Sequence, residues 1–150
     1  MSPGPSGRDE AGTAIVEFVW LAILLLVPLL YIVLAVFATQ RASYAASAAA
    51  RSASRAFVTS PDQATAYGRA EAAARLAFAD QGIDSADFRL VITCRPDPEQ
   101  CLTPGSVVAA DVRSAADLPL IPTALGDNTP RISVEAIHRS PYGTFREARP

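Results

Sequence analysis

Twenty-one consecutive residues without a charge, positions 18 to 38, constrain this chain more than any other feature. The run opens Phe18-Val19-Trp20-Leu21-Ala22-Ile23, passes Pro28 and Tyr31, and closes at Phe37-Ala38. A helix needs about 20 predominantly apolar residues to cross the hydrocarbon of a bilayer, so the run is long enough. Fifteen of its residues are Leu, Ile, Val or Phe. At roughly −0.3 to −0.6 kcal/mol each at a helix centre, they favour insertion by roughly 5 to 9 kcal/mol. Glu17 stands at the edge of the run. A charge costs about 2.5 to 3.5 kcal/mol at the bilayer centre and less near its border, so insertion wins. Pro28 lies mid-span and removes one helical hydrogen bond, which predicts a kink that transmembrane helices tolerate.

A secretory signal peptide is the competing reading of the same residues. It needs a basic leader, an apolar stretch of about 7 to 15 residues and a small-residue cleavage site. Here Arg8 faces Asp9 and Glu10, and the apolar run is longer. Ala46-Ser47-Ala48 suits a peptidase, but it falls inside a continuing helical pattern. For orientation, two signals conflict. Arg41, Arg51 and Arg55 follow the span and only Arg8 precedes it, which by the positive-inside tendency places the C-terminal side in the cytoplasm. Cys94 and Cys101 argue the reverse, because disulfides persist outside the reducing cytoplasm. We take the C-terminal part as extracytoplasmic, in a single-pass protein of the cytoplasmic membrane.

Helical patterning continues through Thr39 to about Phe57 without Gly or Pro. At about 100° per residue, Arg41, Tyr44, Arg51 and Arg55 share one stripe, and Ala42, Ala46, Ala49, Ala53 and Phe57 the opposite one. Such an Ala face lets a second helix approach closely, either in an assembly or within the chain. Ser60-Pro61-Asp62 predicts a break and a new helix from 61 to 81, with Ser60 as N-cap and Pro61 at the first helical position. Tyr67, Ala70, Ala74, Ala77 and Phe78 would form its buried face, Glu71 and Arg75 an i,i+4 pair worth about 0.2–0.5 kcal/mol, and Gly82 its C′ residue.

From Asp87 the period becomes that of a strand. Phe88, Leu90, Ile92 and Cys94 alternate with Arg89, Val91 and Thr93. A second strand fits 106 to 113, with Val108, Ala110 and Val112 on one face. Residues 118–122 and 126–128 read as loop. A third strand fits 131 to 138, with Ile132, Val134 and Ala136 inward, and Ser140-Pro141-Tyr142-Gly143 ends it. The fold class is therefore α+β, a long N-terminal transmembrane helix running into an Ala-rich extension, a second helix and a small three-stranded antiparallel sheet.

Cys94 and Cys101 flank a short Pro-containing segment between the first two strands, which suits a disulfide at a hairpin tip. A metal site needs about four ligands, and two cysteines with the single histidine, His138, fall short. No nucleophile elbow, phosphate-binding loop or His-Glu-x-x-His is present, and no cofactor is expected. Asp111, Glu135 and His138 are the acids and base an anchored enzyme would have to gather, so an enzyme is not the expectation. A formal net charge of −2 gives no electrostatic footprint for nucleic acid.

Gly12-Thr13-Ala14-Ile15-Val16-Glu17-Phe18, followed by the apolar run with Pro28 and the Ala-rich extension, resembles the N-terminus of the TadE-like pseudopilins. These belong to the tight-adherence (Flp-type) branch of type IV pilus systems. The resemblance covers about residues 8 to 57. It implies a leader, 1–12, removed by prepilin peptidase between Gly12 and Thr13. It further implies a transmembrane helix with its extension, 13–57, and an exported pilin-like α+β domain, 58–150. Glu17, fifth in the mature chain, would pair in the membrane with the new N-terminal amine of a neighbour, with Phe18 beside it. The implied partners are membrane lipid, the peptidase, other pilins or pseudopilins and the inner-membrane assembly platform, but not nucleic acid. Phe18 stands where major Flp pilins have Tyr, although Phe is usual in the TadE-like branch. Asp9-Glu10-Ala11 leaves no basic residue directly before Gly12, and the chain exceeds a major pilin in length, which implies a minor subunit. The alternative is an unprocessed bitopic protein whose exported domain binds a ligand or protein partner.

Overall fold

The computed structural model describes residues 11–83, 88–117 and 131–149. Residues 1–10 of the expected leader, Asp87, and the loops expected at 118–122 and 126–128 lie outside the described residues. Two helices and three strands follow in chain order: α1 (Ala11–Val58), α2 (Gln63–Asp80), β1 (Arg89–Arg95), β2 (Val107–Asp117) and β3 (Arg131–Pro141). The strands form one antiparallel sheet in the order β1-β2-β3. Together they make an α+β fold whose first helix is long and apolar enough to cross a membrane.

α1 is unbroken over 48 residues, with Pro28 inside it. Its C-terminal part is the spine of the folded unit. Ala45, Ala46, Ala49, Ala53 and Phe57 are fully buried, and so are Ala66, Ala70, Ala74 and Phe78 of α2. The Ala face anticipated on α1 is thus spent inside the molecule, against α2, β2 and β3. With methyl groups over most of the facing sides of both helices, little bulk holds their backbones apart. Larger side chains fill the remaining core: Phe57, Phe78, Leu102 and Tyr142 are buried, each worth about 1.5–3 kcal/mol on burial for side chains of this kind.

The turn between the helices differs from the sequence expectation. The N-cap of α2 is Asp62, whose carboxylate accepts the Thr65 N–H at 2.8 Å. Ser60 instead closes α1, donating its hydroxyl to the Ala56 carbonyl at 2.7 Å. The helix consequently starts at Gln63, with Pro61 ahead of the cap. An anionic cap at an N-terminus gains both the hydrogen bond and the dipole, while a serine beside a finishing helix finds a free carbonyl one turn back. The buried face of α2 also starts one residue earlier than expected, at Ala66. Tyr67 is half-exposed and lays its ring edge-on to Phe57, 5.1 Å between centroids.

Gly82 ends α2 as its spacing indicated. Its φ of 62° puts it in the left-handed region, its N–H reaches Ala79 and the Ile83 N–H reaches Phe78. Those two bonds are a Schellman motif. Glu71 and Arg75 pair at 2.7 Å.

In the sheet, Leu90, Ile92 and Cys94 face α1 and α2, as do Val108, Ala110 and Val112. The register pairs Ile92 with Ala110 and Ala110 with His138. β2 and β3 are both longer than their sequence patterns indicated: β2 reaches Asp117 and β3 reaches Pro141. Cross-strand pairing, with Val107 opposite Pro141, carries β3 past its apolar stretch. Of the three residues expected inward on β3, Val134 is buried and Ala136 half-buried, but Ile132 stays 39% exposed. It sits at the end of the sheet, beyond the level where α1 enters the core.

Candidate functional site

The candidate site is the apolar half of α1. Every residue from 15 to 30 is exposed, on all sides of the helix, with Phe18 at 71% and Leu24 at 74%. A helix that is hydrophobic all round belongs in a core or in lipid, and none of the described residues covers this one. The charge-free stretch from 18 to 38 would measure about 31 Å along the axis, against about 30 Å of hydrocarbon. The sequence places it in one piece with the spine of the folded unit, and no turn or linker interrupts the helix between them.

Gly12 and Thr13 lie in the first turn of α1. Glu17 and Phe18 follow on the next turn, both exposed. The Glu17 carboxylate makes no hydrogen bond or ion pair with any described residue. Pro28 has helix on both sides; lacking an N–H, it leaves the Leu24 carbonyl without its usual i+4 donor.

Cys94 and Cys101 lie at disulfide distance, with Cα atoms 5.3 Å apart. Both are buried. They pin the β1–β2 hairpin at the end of the molecule farthest from the apolar half of α1. Gln63 joins this end to α2: its amide donates to the Glu99 carbonyl at 3.0 Å and accepts the Cys101 N–H at 3.1 Å.

Asp111, Glu135 and His138 are not gathered. Asp111 and Glu135 lie on the outer face of the sheet with Arg113 between them, at 3.4 and 3.2 Å. The hydrogen bond it donates to Glu135, with the charges of both acids, holds the guanidinium of Arg113 above its usual range. His138 pairs with Ala110 and, by strand alternation, faces the other side. Among the described residues no three His, Cys, Asp or Glu side chains are placed to hold a metal ion.

One set of functional contacts had no signal in the sequence. Arginines cap the C-terminal ends of both helices. Arg41 of α1 donates to the carbonyls of Gln81 and Gly82 at the end of α2. Arg146 and Arg149, in the segment after β3, donate to Val58 and Ser60 at the end of α1, at 2.8 and 2.6 Å. Cations at the negative end of a helix dipole are favourable, and here they also fasten the chain ends to the spine. Each pair is separated by 40 residues or more, so only the fold brings them together.

Comparison with family models, curated proteins and solved structures returns no match to this chain.

Proposed function

We propose that this chain is a minor, TadE-like pseudopilin of a tight-adherence type IV pilus or a related secretion system. It is held in the cytoplasmic membrane by α1, with its folded unit outside. Prepilin peptidase removes the leader between Gly12 and Thr13. Glu17 then pairs with the released amine of a neighbouring subunit, and the apolar half of α1 packs against pilins or pseudopilins and the assembly platform.

The observation that carries this reading is the single helix that is bare and apolar at one end and the core of an α+β unit at the other. A subunit that must be drawn out of the bilayer into a bundle needs such a helix, rigidly joined to its head. A lone carboxylate at the start of the bare stretch is costly in lipid unless a partner supplies the opposite charge, and a new N-terminal amine at that depth does so. The disulfide-distance cysteines are consistent with export of the folded unit.

The test is the intact mass and N-terminal sequence of the protein from native membranes. A chain beginning at Thr13 supports prepilin-type processing. A chain beginning at Met1 or Ser2 overturns it and leaves a bitopic anchor whose outer domain binds a ligand or partner.

A further inference from the structure

The contact stripe of α1 does not stop where the buried core begins. Stepping back from Ala42 and Ala45 by three and four residues gives Ala38 and Thr39, then Leu34 and Ala35, then Tyr31. These positions are half-buried, while Ile32, Val33, Val36 and Phe37 between them are exposed. The seam that packs on the sheet therefore runs about 15 Å further into the charge-free stretch than the core does. At its lower end, Tyr31, Ile32, Ala35, Val36 and Thr39 form a groove of about 310 Å³ with Ile132 of β3 as the opposite wall. Ile132 points to the inner side of the sheet yet remains 39% exposed into this groove.

We propose that the groove is occupied by lipid, and that the end of the sheet carrying Ile132 is seated at the boundary between headgroups and hydrocarbon. This rests on the reading of α1 as a membrane span. Lipid is the fitting occupant because the groove is continuous with the bare apolar surface of the same helix, and its lining is almost wholly apolar. The seat is shallow. Ile132 lies on an edge strand, whose unpaired backbone groups cannot enter hydrocarbon, and it follows Arg131.

The seat fixes the depth of the whole helix. With the outer boundary at Ala35, about 30 Å of hydrocarbon ends about 20 residues earlier, at Ile15. Glu17 then lies about 3 Å inside the hydrocarbon. With the boundary at Ala38, where the apolar run ends, Glu17 would lie just outside and need no partner. The sheet end thus acts as a depth stop that places the carboxylate where only a paired charge is tolerated.

The full chain carries one tryptophan, Trp20, which reports whether the helix is in lipid at all. The protein would be reconstituted in phosphatidylethanolamine–phosphatidylglycerol vesicles doped with phosphatidylcholine brominated at a shallow or a deep chain carbon. Two variants in a Trp20→Phe background, Ile132→Trp and Val91→Trp, place the probe at equally exposed sites on opposite sheet faces. The expected result is strong quenching of Trp20 in the native chain, and loss of most emission from Ile132→Trp with shallow bromines only. Val91→Trp should keep its emission. Quenched Trp20 with a red, unquenched Ile132→Trp overturns the seat and leaves the span intact. A blue-shifted but unquenched Ile132→Trp overturns it in favour of a protein occupant. Unquenched Trp20 overturns the span and the seat together. Ile132→Asp with native Trp20 gives a second readout that needs no bulky residue. Expelling that end of the sheet by about one helical turn should draw Trp20 from about 8 Å to about 13 Å from the inner boundary, seen as weaker quenching by shallow bromines and stronger quenching by deep ones. An unchanged depth overturns the stop.

Discussion

The hydroxyl of Ser140, near the end of β3, donates to that of Ser54 on α1 across 2.9 Å of otherwise apolar core. Ser54 in turn donates to the Arg51 carbonyl at 3.1 Å. Both side chains are buried. The chain of bonds has a direction, so the two truncations are not equivalent. Ser54→Ala strands a buried donor and should cost about 1–3 kcal/mol, whereas Ser140→Ala removes one net hydrogen bond, about 0.5–1.5 kcal/mol. The double variant should be less destabilised than the sum of the two, measured by denaturant unfolding in detergent.

The Ala-on-Ala contact between α1 and α2 leaves no room for growth. Ala70→Leu on the buried face of α2 should destabilise by about 1–3 kcal/mol through overpacking. Ala72→Leu, two residues on and exposed, should stay within about 0.5 kcal/mol. Equal losses at both positions would sink the account of the seam.

The cap of α2 predicts a pH dependence. The Thr65 N–H holds the Asp62 carboxyl below its ordinary value of 3.8. Its stabilising contribution is therefore complete above that value and is lost as pH falls through the lower, folded one. Asn caps a helix as well as Asp but does not titrate in this range. Melting followed by circular dichroism should show the native chain losing more Tm than Asp62→Asn between neutral pH and about pH 3. Parallel curves would remove Asp62 from the acid response.

Reduction should loosen the far end of the molecule and leave the spine standing. A bridge across a separation of 7 residues is worth about 2.5 kcal/mol in the chain-entropy model. The Cys94→Ala/Cys101→Ala variant should unfold at correspondingly lower denaturant, while retaining the helical signal of α1. Alkylation in native membranes should label neither cysteine before a reductant is added.

Glu17 is the residue on which the assembly proposal turns. Glu17→Ala should insert and be processed normally, yet no longer cross-link to neighbouring subunits in the membrane. Unchanged cross-linking would remove the carboxylate from assembly.

Local periodicity carried much of this fold in legible form. The Ala face of α1, the alternation of β1 around Leu90, Ile92 and Cys94, the Gly82 terminus and the bare apolar run all follow from spacing within a few residues. What was not legible depends on partners far along the chain. Ser60 and Asp62 are both good caps, and the choice between them was made by the Ala56 carbonyl within reach of Ser60. Ser140 read as the end of a strand because Pro141, Tyr142 and Gly143 follow it, and its buried partner Ser54 lies 86 residues away. Ile132 matched the inward phase of β3, but phase says nothing about whether anything lies opposite. Gly12, Thr13, Glu17 and Phe18 were legible as a pattern on a helix. Their proposed chemistry involves a second chain, and a pattern within one chain does not encode that chain's surface.

The uninterrupted backbone of α1 also has a mechanical meaning. Between the bare apolar stretch and the Ala seam there is no joint that could absorb a tug or a twist. A load applied along the anchor passes straight into the seam as shear, where methyl groups offer little grip. The arginine clasps at Val58, Ser60, Gln81 and Gly82 then become the fasteners that resist slippage. On the proposed reading such a helix is a pull-rod: drawing it out of the bilayer carries the head along, still folded.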